Sequence, residues 1–537
     1  MRSASVILSF FAMAVTTSVF LALTGQGLSL VIAWGSLFGG ACVGFLAWRR
    51  TPSAPASSLN QWDLLMFLVF ALASLRSFLW LIYPSGDFLM VQSANNLGDI
   101  SKHLQIIRYL AAGASFWPES PFLVGAPLNY YLGVDVWNSL LLLFGVPAER
   151  GLIWVGLGAS VLSAWALWKW GGTFGLAVFL FNGGLAGFQV FQTRELVDFQ
   201  ADLAWKNFFL AMFVTQRGLL YALPATLFLW SAWRESMFRG RPVVPAWVCF
   251  LIYATMPLFS AHAFLATSIL LAGIFVFQPS ARGRLLVFVG CAVPPATFCA
   301  YLVTGGFSIE SGVRFLPGWM QGTGGWWFWV LNFGISLPMM AVLAWKVLRS
   351  PDPELRSFAG TGLFLFLVAC FVAFAPWEWD NTKIFLWAWL LCAPYLWKRV
   401  IRPLPLAART AICFVYFFSG AASLVGGLSN KTGYHLVRIS EMNEARAALS
   451  RVPPLETIAT EPHHGNPVVL LGRPVVCGYE GMLWAHGLDY REKWSALEQV
   501  LSKEPGWENQ LRELGVSWVY TPGGGLLFVP PQEGLDD

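Results

Sequence analysis

Apolar runs of about 17 to 25 residues recur along this chain as far as residue 427, each long enough to cross a hydrocarbon layer about 30 Å thick as a helix. Inside lipid a backbone must satisfy its own N–H and C=O groups, so runs of this kind fold as helices before anything else is decided. Hydropathy places thirteen of them, at roughly 5–24, 29–48, 62–83, 151–168, 173–190, 209–233, 243–259, 261–279, 285–304, 326–347, 358–376, 383–397 and 405–427. With 56% hydrophobic and only 12% charged residues, a soluble globular chain is excluded and an α-helical polytopic membrane protein is expected. The first run follows Arg2 and shows no small-residue cleavage site before the next begins, so it reads as a retained helix and not as a signal peptide.

Charge sets the orientation. The segment 130–146 is short and carries Asp135 and Asn138, and its placement decides the rest. If it lies in the interface instead of crossing, sixteen Lys and Arg residues from Arg2 to Arg409 fall on one side against four acids, Asp63, Glu235, Asp352 and Glu354. The opposite loops then hold eight bases against eleven acids. That asymmetry is what the positive-inside rule demands, so the basic side is expected to be cytoplasmic. Three units follow. Residues 1–61 form a two-helix hairpin with a Pro/Ser/Ala-rich linker, and 62–427 form the membrane core, whose first large outward loop, 84–150, holds interfacial helices. In 428–537 short β-like and helical runs alternate, which reads as a small outward-facing α/β domain.

Seven of the eight cysteines lie in apolar runs without metal-like spacing, and only Cys477 sits in polar sequence, which fits packing and not a disulfide framework. The 28 tryptophans suit interfacial belts, as at Trp326, Trp327 and Trp329. A net charge of +5 without a compact basic stripe gives no footprint for nucleic acid.

The first outward loop breaks the apolar pattern most sharply, Gly98 to Asp135 reading GDISKHLQIIRYLAAGASFWPESPFLVGAPLNYYLGVD. Asp99 and His103, at i and i+4, share one face of a helix running through Arg108. Gly113, Phe116-Trp117-Pro118 and Pro127-Leu128-Asn129-Tyr130-Tyr131 then form a turn that presses aromatics onto the membrane surface. Further polar residues collect at outward helix ends: Asp87, Gln216 and Arg217, His262, and Glu378, Asp380, Asn381 and Lys383. Ionisable groups at a bilayer edge are costly unless paired or useful, so their gathering on one side points to a shared cavity. Arg217 either snorkels to headgroups or holds a phosphate oxygen bidentately. Asp380, Asn381 or Thr382 caps the next helix while Lys383 faces an anion, and Arg76, inside a span toward its outward end, either reaches the surface or pairs with an acid such as Asp87. In the C-terminal region His463, His464, Glu480, His486 and Asp489 have no metal-specific spacing and read as turn and surface residues.

Taken together, Asp99, His103, the helix to Gly113, the Phe-Trp-Pro turn and the Pro-Leu-Asn-Tyr-Tyr segment resemble the first outward loop of GT-C glycosyltransferases, among them the lipid A aminoarabinose transferases and protein O-mannosyltransferases. The segments TQRG, PLFSAH and WEWDNTK, with GRPVVCGYEGMLWAHGLDY over Gly472 to Tyr490, are similar to a group of bacterial GT-C-like membrane proteins. The family's common Asp-Glu pair is here Asp99-Ile100, and the Lys often preceding the Pro of the later turn is Ala126.

The resemblance implies a glycosyltransferase that moves a sugar from a polyprenyl-phosphate donor to an outward-facing glycan, lipid or protein, with inversion. It also implies a bacterial inner membrane, with the C-terminal domain in the periplasm. On that reading Asp99 is the general base, His103 and His262 orient, and Arg217 and Lys383 hold the donor phosphate. Asp87, Asn129, Tyr130, Tyr131, Gln216, Asp380 and Asn381 support them, and the missing second acid leaves a divalent metal undecided. Two other readings use the same residues: a transporter or flippase of a lipid-linked or sugar substrate, and a non-catalytic glycan-binding scaffold. A transporter predicts polar residues spread through the bilayer midplane.

Overall fold

The computed structural model describes residues 1–531 except 26, 54–57, 94, 197–206, 308–312 and 430–432, so part of the 50–61 linker lies outside the described residues. Among the described residues eight helices are long and apolar enough to cross a membrane, or nine if the bent pair at 322–349 counts as one. The chain is a helical membrane protein with a few small sheets.

Helices α1 (Arg2–Ala22) and α2 (Leu30–Arg50) form a hairpin. Arg2 locks it, its Nε donating to the Trp48 carbonyl at 2.7 Å and its guanidinium lying over the Trp48 ring. Helix α3 (Gln61–Leu79) opens on a capping box between Asn60 and Asp63. A hairpin of β1 (Tyr83–Ser85) and β2 (Phe88–Val91) leads to α4 (Asn96–Ala111) and then α5 (Gly133–Leu143). At 11 residues α5 is about 16 Å long, too short to cross.

Helix α6 (Ala148–Phe181) has 34 residues, yet its backbone leaves the helical region at Gly172 (φ 63°, ψ −156°). A Cβ on Gly175 would lie 2.9 Å from the Leu167 carbonyl oxygen, whereas eight residues along a straight helix are about 12 Å apart. The chain therefore doubles back at Gly172 into two arms. After the short α7 (Val190–Thr193), the run expected at 209–233 is also divided. A π-helical segment, Phe208–Phe213, is followed by a turn over 214–218 and then α8 (Leu219–Trp233).

Next come α9 (Ala246–Thr255), α10 (Ala261–Phe277), α11 (Arg282–Val303) and β3 (Val313–Phe315). The run expected at 326–347 is bent by 80° between α12 (Gly325–Phe333) and α13 (Ser336–Arg349). The bend abuts the end of α6's second arm, where Leu185 N donates to the Leu331 carbonyl at 2.9 Å. Helix α14 (Pro353–Phe371), β4 (Val372–Phe374) antiparallel to β3, α15 (Thr382–Tyr395) and α16 (Leu406–Ser429) complete the core.

The charges that the sequence places on one side meet in space. Arg399 pairs with Asp352 at 2.9 Å, and Arg239 pairs with Glu235 and Glu354. Arg234 donates to the Trp170 and Lys169 carbonyls at 3.2 and 3.4 Å, beside the break in α6. This is the basic end; the first loop and the C-terminal region lie at the far end.

The C-terminal region is stitched to that loop. Strand β5 (Tyr434–Arg438) adds antiparallel to β2, giving a sheet of order β1-β2-β5. After α17 (Ile439–Ala448) come β6 (Ile458–Ala459), α18 (Pro467–Leu470), α19 (Glu480–Ala485), α20 (Arg491–Leu501), α21 (Trp507–Glu513), β7 (Trp518–Thr521) and β8 (Gly525–Phe528). Strand β7 runs parallel to β6 and antiparallel to β8. Residues 121–124 and 475–478 exchange backbone bonds, Val475 to Pro121, Val124 to Val476 and Gly478 to Phe122, at 2.8–3.1 Å. Helix α4 is enclosed between this region and the membrane helices, which is why its polar residues are buried: Gln105 Nε2 donates to the Pro121 and Arg473 carbonyls at 2.8 and 2.9 Å.

Candidate active site

Two glycines let the far-end elements close on one point. A Cβ on Gly133, which opens α5, would lie 2.5 Å from the Phe259 ring, and one on Gly218, which precedes α8, would lie 2.1 Å from the Phe259 carbonyl and 3.1 Å from the Tyr131 ring. Only glycine permits both approaches to the 258–260 turn, where Ser260 Oγ caps α10 by accepting from Ala263 N. The consequence is that Asp135 in the first turn of α5 and Arg217 beside α8 flank the face of α4 that carries Asp99 and His103. Both carboxylates lie in the first turn of their helices.

His103 and Asp135 meet Nδ1 to Oδ1 at 2.8 Å, with each side chain 1% exposed. Burial pushes the His103 imidazole below its ordinary 6.5, outweighing the pull of Asp135, so the ring is neutral at pH 7. A carboxylate only accepts, so the ring proton sits on Nδ1 and Nε2 keeps its lone pair. That Nε2 is buried and has no hydrogen-bond partner among the described residues.

Asp99 pairs with Lys102 at 3.1 Å. Burial raises the Asp99 carboxyl, but Lys102, His103 and Arg217 outweigh it and hold it below the usual carboxylate range. Arg217 is 1% exposed. One of its nitrogens donates to the Val214 carbonyl, whereas Nε and Nη1 are buried with no partner among the described residues. It lies within electrostatic reach of Asp99, Asp135 and Tyr130. Lys383, paired with Asp380 at 2.9 Å, is within reach of Asp99 and Tyr131, and His262 is within reach of Lys383 and Asp380.

Tyr130 is the hub of the aromatic wall. Its ring stacks on Tyr131 at 4.3 Å between centroids and carries the Lys102 ammonium 4.7 Å from its centre. His486, from the C-terminal region, approaches edge-on at 5.4 Å. Burial pushes the His486 imidazole down to about 3, so it too is neutral.

An apolar groove begins beside this chamber. Its cavity, about 640 Å³, lies between α1, α5, the first arm of α6 and α8, with Val134, Trp137, Leu220, Tyr221 and Pro224 near the chamber and Met1 at the other limit. The exposed side chains of Ile7, Trp154 and Val161 leave it open to the side.

Not every expected residue joins the chamber. Asp87 stands at the exposed tip of the β1–β2 hairpin, accepting from Ser440 N at 3.1 Å and Ser440 Oγ at 2.6 Å, because the hairpin turns away to dock on α17. Arg76 lies over Trp80, 4.8 Å from the ring centre. Asn381 is committed to backbone, donating to Ala369 and Val372 carbonyls and accepting from Phe374 N, so that it fastens the end of α14. Glu378 pairs with Arg314 at 2.9 Å. Gln216 is half-buried in the 214–218 turn, and Asn129 packs against Gly305, its Oδ1 without a partner among the described residues.

Sequence spacing does not mark three members of the site: Asp135, Lys102 and His486. Asp135 is 32 residues from His103 and on another helix, so no local spacing signals the pair. His486 read as a surface residue, yet the pairing of 121–124 with 475–478 brings α19 to the rim. Among the described residues no three His, Cys, Asp or Glu side chains are placed to hold a metal ion. Neither a known protein family nor a curated protein matches the sequence.

Proposed function

We propose that the protein is a GT-C-type glycosyltransferase with thirteen crossings, transferring a sugar from a polyprenyl-phosphate donor to an acceptor hydroxyl or amine at the far end of its core. Its basic end is then cytoplasmic, and the chamber and C-terminal α/β domain face the periplasm of a bacterial inner membrane. The observation that carries this reading is the adjacency of three things: a buried guanidinium with two open donors, a carboxylate and an imidazole on one face of α4, and a laterally open apolar groove. The groove takes the polyprenyl tail and brings its phosphate to Arg217, with Lys383 nearby.

The acceptor oxygen attacks the anomeric carbon as the carbon–phosphate oxygen bond breaks, and the electron pair leaves on the polyprenyl phosphate. That anion needs positive charge more than a proton, and Arg217 supplies it. Asp99 and His103 are the two α4 groups able to act on the acceptor's proton, a role worth about 10² to 10⁴ in rate. A single displacement inverts the anomeric centre.

With purified enzyme in lipid nanodiscs and a polyprenyl-phosphate sugar as donor, Asp99→Asn is expected to lower turnover by about 10²-fold while donor binding persists. Full activity in that variant removes Asp99 from the mechanism. A transporter is favoured by one observation, the meeting of broken helices at 182–185 and Leu331–Gly334. Flux of a lipid-linked sugar into proteoliposomes without any new glycosidic bond would replace the transferase reading with that one.

A further inference from the structure

We propose that His103 Nε2, rather than Asp99, takes the acceptor's proton, and that Asp135 is the positioning residue that keeps this nitrogen bare. The inference rests on the transfer reading above and assigns the base within it. Three observations carry it. His103 Nδ1 and Asp135 Oδ1 are 2.8 Å apart, and both side chains are buried. Nε2, at the opposite edge of the ring, is buried without a partner among the described residues, an arrangement that costs stability and is retained where the atom has work to do. Asp99, by contrast, already has Lys102 at 3.1 Å. A carboxylate paired with an ammonium and held below its usual range is a poor proton acceptor at neutral pH, whereas Nε2 of the neutral imidazole keeps an uncommitted lone pair.

The groups facing His103 are Asp135 on α5, Arg217 ahead of α8, Tyr130, and Lys102 and Asp99 on its own helix. In the step, the acceptor O–H bond breaks as the oxygen–carbon bond forms and the carbon–phosphate oxygen bond parts. The proton goes to Nε2, and the imidazolium so formed is stabilised by Asp135 until solvent removes the proton. Asp99 remains a charged hydrogen-bond acceptor that holds the acceptor hydroxyl in line.

The test uses the full-length enzyme in nanodiscs. His103→Gln is expected to lower kcat by about 10² to 10⁴-fold with donor KM within about threefold. Asp135→Asn should lower kcat comparably by letting the ring take the wrong tautomer, Asp135→Glu should recover part of that loss, and the double variant should be no worse than either single one. A base works only unprotonated, so wild-type kcat falls as pH drops through the His103 pKa, below 6.5, and that fall is absent from the residual rate of His103→Gln. Nitrogen-15 NMR of labelled histidine adds a reading independent of turnover, with Nδ1 protonated and Nε2 bare in the wild type.

Activity of His103→Gln within about threefold of wild type, an acid fall that persists there but vanishes in Asp99→Asn, or a protonated Nε2 at pH 7 overturns the assignment while leaving the transferase reading intact. Absence of turnover in the wild type with every lipid-linked sugar tried overturns both.

Discussion

The two ends of the membrane core differ in how much of their buried charge is paired. At the basic end Arg399 meets Asp352, Arg239 meets Glu235 and Glu354, Tyr395 donates to Glu354 at 3.0 Å, and Arg234 commits two nitrogens to carbonyls beside the break in α6, its Nε alone being buried without a partner among the described residues. At the far end Arg217 is more deeply buried and keeps two nitrogens without partners, and His103 keeps one, among the described residues. Paired charge near a surface contributes little to stability and mainly sets orientation. Buried charge with unused hydrogen-bonding capacity is costly to maintain, so it marks the place where a ligand completes the structure.

Arg217 against Arg399 is the sharpest way to break that contrast. Replacing Arg217 with Met is expected to lower kcat by about 10² to 10³-fold, the usual loss when one donor to a developing anion is removed. Arg217→Lys should fall between that variant and the wild type, since it restores the charge but not the planar fork. Arg399→Gln, at an exposed ion pair, should stay within about twofold of wild type. Steady-state turnover of the three purified variants decides it. Equal losses at both arginines would mean that Arg217 is structural and that the two ends do not differ in kind.

Much of this contrast is legible from residue order, because it depends on periodicity and counting. Apolar runs mark the helices, and the excess of Lys and Arg predicts which residues gather at the basic end. Gly171-Gly172 divides α6 in the sequence as it does in space. The chamber is less legible. Asp99, Arg217 and Lys383 are visible as misplaced polar residues at helix ends, but the partner of His103 is not, since a crossing of α4 over α5 creates that contact. Asp87 and Asn381 show the converse: an acid or amide at a turn is as readily consumed by a neighbouring backbone, and only tertiary packing tells the two cases apart.

The groove offers a second, smaller test on the far-end side of the comparison. Gly158 lines it, and a Cβ built there meets nothing within 4 Å, so Gly158→Phe fills the channel without straining the helix. About tenfold weaker KM for a long-chain donor is expected, with little change for a short water-soluble analogue, because only the long tail loses apolar burial. An equal effect on both donors would place the tail elsewhere and detach the groove from the chamber.

His486 gives the smallest expected effect and the finest distinction. It comes from the C-terminal region, yet its ring lies 5.4 Å from Tyr130 and 6.0 Å from Phe122, and Lys102, Asp380, Lys383 and Asp99 are all within electrostatic reach. Burial holds its pKa near 3, so across pH 5 to 8 it carries no charge and presents a neutral ring to Tyr130. If its role is to seal the rim, His486→Phe should keep kcat within about threefold, as a ring of similar size restores the edge contact, while His486→Ala should raise acceptor KM more than donor KM by exposing the tyrosine. If His486→Phe instead loses activity to the extent that His103→Gln does, the ring nitrogens act on substrate. The C-terminal region would then contribute a working residue to the chamber as well as part of its rim.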